Sequence, residues 1–273
     1  MNRIGGRIAI VTGGTQGLGA AVARRLAEAG AGGIVTCGRK TEEGEKVAHA
    51  IAADTGCKVH FTRADLASVD ECRSVVTACD RQFGRVDILV NAAGLTDRGT
   101  ILDTSPELFD RMFAVNIRAP FFLMQESIKL MLRDGIEGAI VNIGSASAHT
   151  GQPFISPYCA SKGALATLTR NTAFSVMCNR IRVNQLDIGW MASDGEDRIQ
   201  REYHGADENW LKKVAADQPF GRLLDPAEVA RAVNFLVSDD AGMMTGAVIH
   251  FDQSVHGGYA AAPPTPGTPM RIG

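Results

Sequence analysis

The sequence has little of what marks membrane-bound or nucleic-acid-binding proteins. It contains no apolar run long enough to cross a bilayer, and the run behind its basic N-terminal start, Ile8–Val11, is too short for the core of a signal peptide. The formal net charge is only -2 at pH 7, so there is no excess of positive charge to attract nucleic acid or anionic lipid. We therefore expect a cytoplasmic protein that binds neither membranes nor nucleic acid.

Sequence signatures of metal sites are also missing. None of the six cysteines forms a CxxC pair, and the six histidines form no HExxH or HxH motif. Because a cytoplasmic chain keeps isolated thiols reduced, we expect free and mostly buried cysteines rather than disulfides. The sequence alone predicts no metal site.

The chain does have a regular alternation of short β-branched runs and longer helical patterns, in an ordinary globular composition of 45% hydrophobic and 21% charged residues. The predicted strands are Arg7–Thr12, Ile34–Cys37, Lys58–Arg63, Val86–Asn91, Ala139–Gly144, Ile181–Leu186 and Ala247–Phe251. The predicted helices are Gln16–Ala29, Thr41–Asp54, Ser68–Phe83, Pro106–Arg133, Pro157–Cys178 and Pro226–Val237, with N-caps at Thr41, Ser105 and Asp225.

This alternation predicts an α/β fold. We expect one doubly wound Rossmann-type domain over residues 1–257, with a mostly parallel seven-stranded sheet and helices on both faces. Residues 192–220 are polar and acid-rich and follow a predicted strand end, which favours a substrate-binding lid. Residues 258–273 are rich in proline and cannot form regular structure, so they form either a mobile tail or an arm on a neighbouring subunit.

A glycine-rich turn follows the first predicted strand, with the sequence Thr12-Gly-Gly-Thr-Gln-Gly-Leu-Gly19. Glycines allow a tight turn and a close approach of the backbone to a pyrophosphate, and the next helix offers unpaired N–H groups and the positive end of its dipole. A tight turn without a ligand is the alternative. The position between a strand and a helix favours a dinucleotide site.

The end of the second predicted strand bears on the choice of dinucleotide. NAD-binding folds usually place an acidic residue there, whereas this chain has Gly38, Arg39 and Lys40. A carboxylate would repel a 2′-phosphate, and Arg39 is able to bind one with a bidentate fork. A solvated surface pair is the alternative. The pattern favours NADP over NAD.

A second group of residues carries the chemistry of an acid–base site. Tyr158 and Lys162 stand one helical turn apart on the same predicted helix face. An ammonium beside a phenol favours the phenolate, so we expect Lys162 to lower the pKa of Tyr158 toward neutrality. Ser145 follows the preceding strand, where side chains reach the ligand crevice. Asn116 is a polar residue in an apolar helix segment and needs either backbone or water partners.

With these residues together, the sequence resembles the short-chain dehydrogenase/reductase family, in its compact single-domain branch, from about Gly6 to Asp252. The glycine-rich turn matches the family's TGxxxGxG loop, and the Asn-Ala-Ala-Gly segment starting at Asn91 matches its NAG-type motif. The residues that match its catalytic tetrad are Asn116, Ser145, Tyr158 and Lys162.

The resemblance implies an NAD(P)-dependent enzyme that interconverts a secondary alcohol and a ketone. By resemblance, Tyr158 transfers the proton, Lys162 also holds the nicotinamide ribose, Ser145 positions the substrate oxygen, and Asn116 holds a proton-relay water. The residues it implies for cofactor binding are Gly13, Thr15, Gln16, Gly17, Leu18, Gly19, Arg39, Asp65, Leu66, Asn91, Ala92, Gly94, Tyr158, Lys162, Ile188 and Ser193.

The chain departs from the family pattern at two places. Asp187-Ile-Gly-Trp190 stands where Pro-Gly is usual, and Ser193 replaces a threonine; we still expect the Ile188 backbone and the Ser193 hydroxyl to reach the nicotinamide amide. The terminal motif, usually hydrophobic-Asp-Gly-Gly, reads Phe251-Asp-Gln-Ser254. These changes affect the pocket or the subunit contact rather than the chemistry.

The substrate is the least determined feature. Ser147, Gln152 and Trp190 are the predicted substrate-binding residues, with Thr96, Asp97 and His149 also near the pocket, and their polarity suggests a sugar or polyol. The alternatives are a ketoreductase of acyl, lipid or aromatic metabolism and a non-catalytic nucleotide-sensing regulator. The regulator is disfavoured because both Tyr158 and Lys162 are present. The resemblance also implies a homotetramer packed through helices near residues 106–132 and 157–178.

Overall fold

The computed structural model describes residues 4–149 and 151–255. Its strands are Ile8–Thr12 (β1), Gly33–Gly38 (β2), Val59–Arg63 (β3), Ile88–Asn91 (β4), Ala139–Ser145 (β5), Arg182–Ile188 (β6) and Val248–Phe251 (β7). Its α-helices are Gly17–Glu28 (α1), Thr41–Thr55 (α2), Val69–Phe83 (α3), Pro106–Phe113 (α4), Ala119–Arg133 (α5), Ser156–Val176 (α6), Asp194–His204 (α7), Trp210–Ala216 (α8) and Pro226–Val237 (α9). The predicted tail, 258–273, lies outside the described residues.

The strands form one parallel sheet in the order β3-β2-β1-β4-β5-β6-β7. Successive residues of a strand point to opposite faces, so each strand contributes to two cores. Ala9 and Val11 pack in one core with α1, α2 and α9, whereas Ile8 and Ile10 pack in the other with α3, α5 and α6. Burial on both faces explains why the strands are continuous apolar runs. The predicted doubly wound Rossmann fold is confirmed.

The structure differs from the predicted elements in three places. The expected continuous helix from Pro106 to Arg133 is interrupted by a π-helical turn at Ala114–Arg118, which contains Asn116. Lys40, rather than Thr41, is the N-cap residue of α2. The 192–220 segment, for which no helix was predicted, holds α7 and α8. A π-turn continues the helical winding on either side of it, so the sequence pattern did not separate it from a regular α-helix.

Two N-caps and the cysteines agree with expectation. The Ser105 hydroxyl accepts a hydrogen bond from the Leu108 amide, and the Asp225 carboxylate accepts one from Ala227 at 2.8 Å. The cysteines are free: Cys37, Cys57, Cys72 and Cys79 are buried, whereas Cys159 and Cys178 are more accessible. Across residues 4–149 and 151–255, no helix is long and apolar enough to span a membrane.

Candidate active site

A large cleft, of about 1140 Å³, opens at the carboxyl ends of the central strands. Parallel sheets of this type bind ligands at that edge, where the strand order reverses between β1 and β4. Most of the residues predicted to bind a cofactor line the cleft: Gly13, Thr15, Gln16, Gly17, Leu18, Gly19, Arg39, Asp65, Leu66, Ala92, Gly94, Tyr158, Lys162, Ile188 and Ser193. The predicted substrate residues Ser147, Gln152 and Trp190 line its other end.

The glycine-rich turn between β1 and α1 forms one wall of the cleft. Gly13 and Gly17 have φ angles of +74° and +54°, which favour glycine. A Cβ on Gly19 would lie 2.2 Å from the Gly13 carbonyl oxygen, so the turn closes tightly onto the helix. Helix α1 has no side-chain cap and no acidic residue in its first turn. Its unpaired N–H groups and dipole thus fit the pyrophosphate of a dinucleotide.

The ends of β2 and β3 form the wall beside this turn. Arg39 is exposed and lines the cleft directly after Gly38, so its guanidinium is available to an anionic group. The Asp65 carboxylate accepts a hydrogen bond from the Ala67 amide at 3.0 Å, which orients it beside Leu66. The residues at this end fit the nucleoside of a dinucleotide, and they include an exposed cation.

Three of the four predicted catalytic residues converge at the other end of the cleft. Lys162 and Tyr158 lie one turn apart on α6, with the Lys162 Nζ 5.6 Å from the centre of the Tyr158 ring. The ammonium donates a hydrogen bond to the Ile143 carbonyl at 2.8 Å, which fixes the lysine against β5. Ser145 ends β5 and shares a hydrogen bond with the Tyr158 hydroxyl. A phenol, an ammonium and a serine hydroxyl therefore meet beside the glycine-rich turn.

Comparison with known proteins agrees with this geometry. Residues 13–256 match a family model described as enoyl-(acyl carrier protein) reductase. Versicolorin reductase 1 of Aspergillus parasiticus is 34% identical over 257 residues, which cover 92% of this chain and 97% of that protein. The 3-oxoacyl-(acyl-carrier-protein) reductase of Haemophilus influenzae is 32% identical over 251 residues, 92% of this chain and 98% of that protein. The chain belongs to the short-chain dehydrogenase/reductase family.

A solved structure extends the likeness to three dimensions. L-sorbose reductase from Gluconobacter frateurii, complexed with NADPH and L-sorbose, matches with a TM-score of 0.87 at 26% identity, covering 95% of this chain and 100% of that chain. As a short-chain dehydrogenase/reductase, the protein is an NAD(P)-dependent oxidoreductase acting on CH–OH or keto groups. The predicted family and enzyme class are confirmed.

Two asparagines of this short-chain dehydrogenase/reductase lie behind the cleft wall. The Asn91 side chain is buried and donates to the Asn142 Oδ1 at 2.8 Å. The Asn116 Oδ1 accepts from the Leu95 amide at 2.8 Å, while its Nδ2 donates to the Leu95 carbonyl at 2.9 Å and to the Ser161 hydroxyl at 3.0 Å. Of the two partners that the sequence allowed for Asn116, backbone or water, the structure provides backbone.

Burial controls the ionisation of the acid–base pair. It raises the pKa of Tyr158 to about 12, although the Ser145 hydrogen bond lowers it. It also lowers the pKa of Lys162 to about 8, although the Asp187 carboxylate raises it. The expectation that Lys162 brings the phenol pKa toward neutrality was therefore wrong for this structure, because desolvation outweighs the other influences on Tyr158. At neutral pH the phenol keeps its proton and Lys162 is mostly charged.

The substrate end of the cleft is held by paired polar groups. The Ser147 hydroxyl donates to the Gln152 Oε1 at 2.5 Å, so the two predicted residues act as one unit. The Trp190 indole N–H donates to the Glu196 carboxylate at 2.8 Å, which ties the end of β6 to α7. The Ser193 hydroxyl accepts from the Glu196 amide at 3.2 Å as the N-cap of α7. Its remaining proton is able to donate into the cleft.

Sequence reasoning missed a cationic and aromatic group at the cleft mouth. The Arg98 guanidinium lies 5.5 Å from the Phe154 ring centre and 5.9 Å from that of Tyr203. Its Nη2 is 3.0 Å from the His204 Nε2. These side chains come from three separate segments, and only their position after strand ends or in the 192–220 segment indicated that they are close to the site. They give the mouth of the cleft an aromatic surface, which the polar composition of residues 192–220 did not predict.

Proposed function

We propose that the protein is an NADP(H)-dependent enzyme that interconverts a secondary alcohol and a ketone on a polar, polyol-like substrate. The observation that carries the proposal is the meeting of Tyr158, Lys162 and Ser145 beside the Ser147–Gln152 pair, in a cleft whose far end carries Arg39. Acid–base groups and hydroxyl-binding groups thus lie together at one end, and an anion-binding group lies at the other.

Each of the proposed catalytic residues has one task. Tyr158 holds a proton at its hydroxyl and donates it to the substrate oxygen in the reductive direction, since its pKa is about 12. Ser145 donates a hydrogen bond to the same oxygen. The Lys162 ammonium stabilises the negative charge that develops on the phenol. Asn116 is a positioning residue that holds Leu95 against the π-turn.

The proposed cofactor site is built from the same walls. When bound, the nicotinamide dinucleotide supplies or accepts the hydride. Of the residues that line the cleft, those of the glycine-rich turn would hold its pyrophosphate, Asp65 and Leu66 would hold the adenine, and the Ile188 backbone and Ser193 hydroxyl would hold the nicotinamide amide. Lys162 also binds the nicotinamide ribose. Asn91 acts indirectly, because its amide fixes the end of β4 rather than facing the cleft.

Arg39 is the proposed reader of the 2′-phosphate. We expect Arg39→Ala to weaken NADPH binding by roughly 10- to 100-fold, the effect of losing a charge-assisted hydrogen bond, and to leave NADH binding nearly unchanged. Dissociation constants of both cofactors, measured by fluorescence titration, check this difference.

Lys40→Ala is the matched control, because Lys40 is the adjacent cation but pairs with Glu43 at 3.1 Å on α2. It is expected to leave both affinities within about twofold, as exposed ion pairs contribute little. Equal losses of NADPH and NADH affinity in Arg39→Ala would mean that Arg39 does not distinguish the two cofactors.

The polar substrate class is supported by the paired groups around the reaction centre. Ser147, Gln152 and Asp97 provide hydroxyl-binding atoms in the cleft that Tyr158 also lines. The solved relative that binds L-sorbose gives independent support, since its substrate is a polyhydroxy ketone. The second candidate is a ketoreductase of aromatic substrates, favoured by the Phe154–Tyr203 surface at the mouth and by the likeness to versicolorin reductase 1.

A substrate screen separates the two candidates. Purified protein is tested by nicotinamide absorbance against ketoses, polyols, acyl thioester ketones and polycyclic aromatic ketones, with both cofactors. The proposal expects the highest kcat/KM for a polyhydroxy compound with NADP(H), and a loss of at least about tenfold in Gln152→Ala for that compound alone. Turnover only of planar aromatic ketones would favour the second candidate.

We also propose a cytoplasmic homotetramer. The helices expected to pack between subunits expose large apolar side chains in the single chain, including Phe121 on α5 and Phe174 on α6 at 44% and 79% exposure. Such patches mark interaction surfaces. Light scattering checks this by comparison with the 29.0 kDa mass of one chain.

A further inference from the structure

Three potential metal ligands lie together beside the catalytic end of the cleft. Ligand atoms of His149, Asp187 and His250 all lie within 4.8 Å of one another. The His149 Nε2 is 2.7 Å from the Asp187 Oδ2, and the two imidazole rings are 4.9 Å apart. None of the three is among the groups that transfer the proton, bind the substrate oxygen or hold the cofactor in the reaction proposed above.

The sheet fixes two of these residues at the backbone level. Asp187 and His250 are register partners on β6 and β7, so their side chains leave the same face of the sheet. Gly144 is the partner of Asp187 on β5, and a Cβ there would lie 1.7 Å from the Asp187 Oδ1. The glycine therefore provides the space that the carboxylate occupies. His149 reaches the pair from the short turn after Ser145.

A buried hydrogen bond orients the carboxylate. The Gln185 amide donates to the Asp187 Oδ1 at 2.6 Å, and its own oxygen accepts from the Thr169 hydroxyl at 3.1 Å. The second oxygen, Oδ2, thus faces the histidines. The Asp187 side chain is fully buried, and a buried carboxylate gains stability from a compensating positive charge. Metal sites typically have such residues, which orient a ligand by a hydrogen bond without binding the metal themselves.

We propose that His149, Asp187 and His250 bind a divalent transition-metal ion, with Zn²⁺ the best match. Two imidazoles and one carboxylate form a ligand set that Zn²⁺ uses with a fourth, water-filled position. Tetrahedral bonds of about 2.0–2.1 Å place ligand atoms about 3.4 Å apart, so the widest contact closes by up to about 1.4 Å and the His149–Asp187 contact opens by about 0.7 Å. Binding exchanges the His149–Asp187 hydrogen bond for two metal bonds and ties the segment after Ser145 to β6 and β7.

This site has no sequence signature. Its ligands are far apart in the chain, and only the pairing of β6 with β7 and the turn after β5 bring them together. The sequence expectation of no metal was based on local spacing, which cannot detect ligands that meet through sheet register.

Isothermal titration tests the proposal on the untagged full chain after treatment with EDTA. Zn²⁺ is expected to bind one site per chain, with affinity at least about tenfold lower in His250→Ala and in Asp187→Asn. His60→Ala, which removes an exposed histidine on β3, is the control and is expected to bind like the wild type. Co²⁺ in place of Zn²⁺ is expected to give the visible absorption of a tetrahedral site.

Two results would overturn the metal site. One is the absence of saturable Zn²⁺ binding by the wild type. The other is unchanged affinity in the double variant His149→Ala/His250→Ala, which would place the ion elsewhere. Both histidines are largely at the surface, so circular dichroism is expected to show a folded double variant even if Asp187→Asn does not fold. The readout is binding and does not depend on turnover.

Discussion

Tyr158→Phe is expected to lower kcat by about a thousandfold or more in both directions, with dinucleotide affinity little changed. The variant removes only the hydroxyl that holds the transferable proton, and positioned acid–base groups contribute about 10²- to 10⁴-fold. The ring still fills its place on α6, so the cleft keeps its shape. Steady-state kinetics give the loss in kcat, and cofactor titration gives the retained affinity.

Tyr203→Phe is the matched control for this experiment. Tyr203 also lines the cleft, at its mouth, and half of its side chain is exposed. Loss of its hydroxyl is expected to change kcat less than about threefold, because the group does not reach the reaction centre. If Tyr158→Phe kept normal turnover, the acid–base role of Tyr158 would be wrong and the proton donor would have to be another group.

Lys162 is expected to set the alkaline limit of the reductive reaction. Its pKa is about 8, lowered by burial, so it is charged below that pH and neutral above it. The reductive kcat is therefore expected to be level below about pH 8 and to fall about tenfold per pH unit above it, as the ammonium loses its proton. Lys162→Met is expected to lower kcat at neutral pH by about a hundredfold or more and to abolish this alkaline limb.

Measurement of the reductive kcat between about pH 6 and about pH 10 gives both the alkaline limb of the wild type and its loss in Lys162→Met. Lys46→Met is the control: Lys46 is an exposed lysine on α2, and its variant is expected to keep the wild-type profile. An alkaline limb that persists in Lys162→Met would assign it to a different group. Cofactor titration of Lys162→Met separates the two roles of the lysine. Weaker cofactor binding would indicate the lost ribose contact, whereas unchanged binding with a lower kcat would indicate the lost charge.

The features that the sequence predicted well depend on local chemistry. Gly13, Gly17 and Gly19 span the junction of β1 and α1, and their spacing and position predict the tight turn that the structure has there. The Tyr158–Lys162 pair is separated by one helical turn, so its shared face follows from helix geometry. Continuous apolar strands likewise require two covered faces, which explains why the doubly wound sheet was predicted from its pattern.

The features that the sequence did not predict arise from contacts between distant segments. The ionisation of Tyr158 depends on how deeply α6 packs, which no local pattern encodes. The cluster of Arg98 with Phe154 and Tyr203 forms only when α7 lies beside the segments that follow β4 and β5. The sequence did not determine which groups Asn116 bonds to, because its backbone partner Leu95 follows β4 and lies in a different segment of the chain.

The π-turn at Ala114–Arg118 gives the helical segment one residue more than regular α-helical turns require. Since each residue of an α-helix rotates the chain by about 100°, deletion of a single residue there would restore regular winding and reorient everything on one side of it. Asn116 would then no longer face Leu95, even though the residues around it would still be helical. A shortened homologue with a straighter segment would need another way to brace the loop after β4.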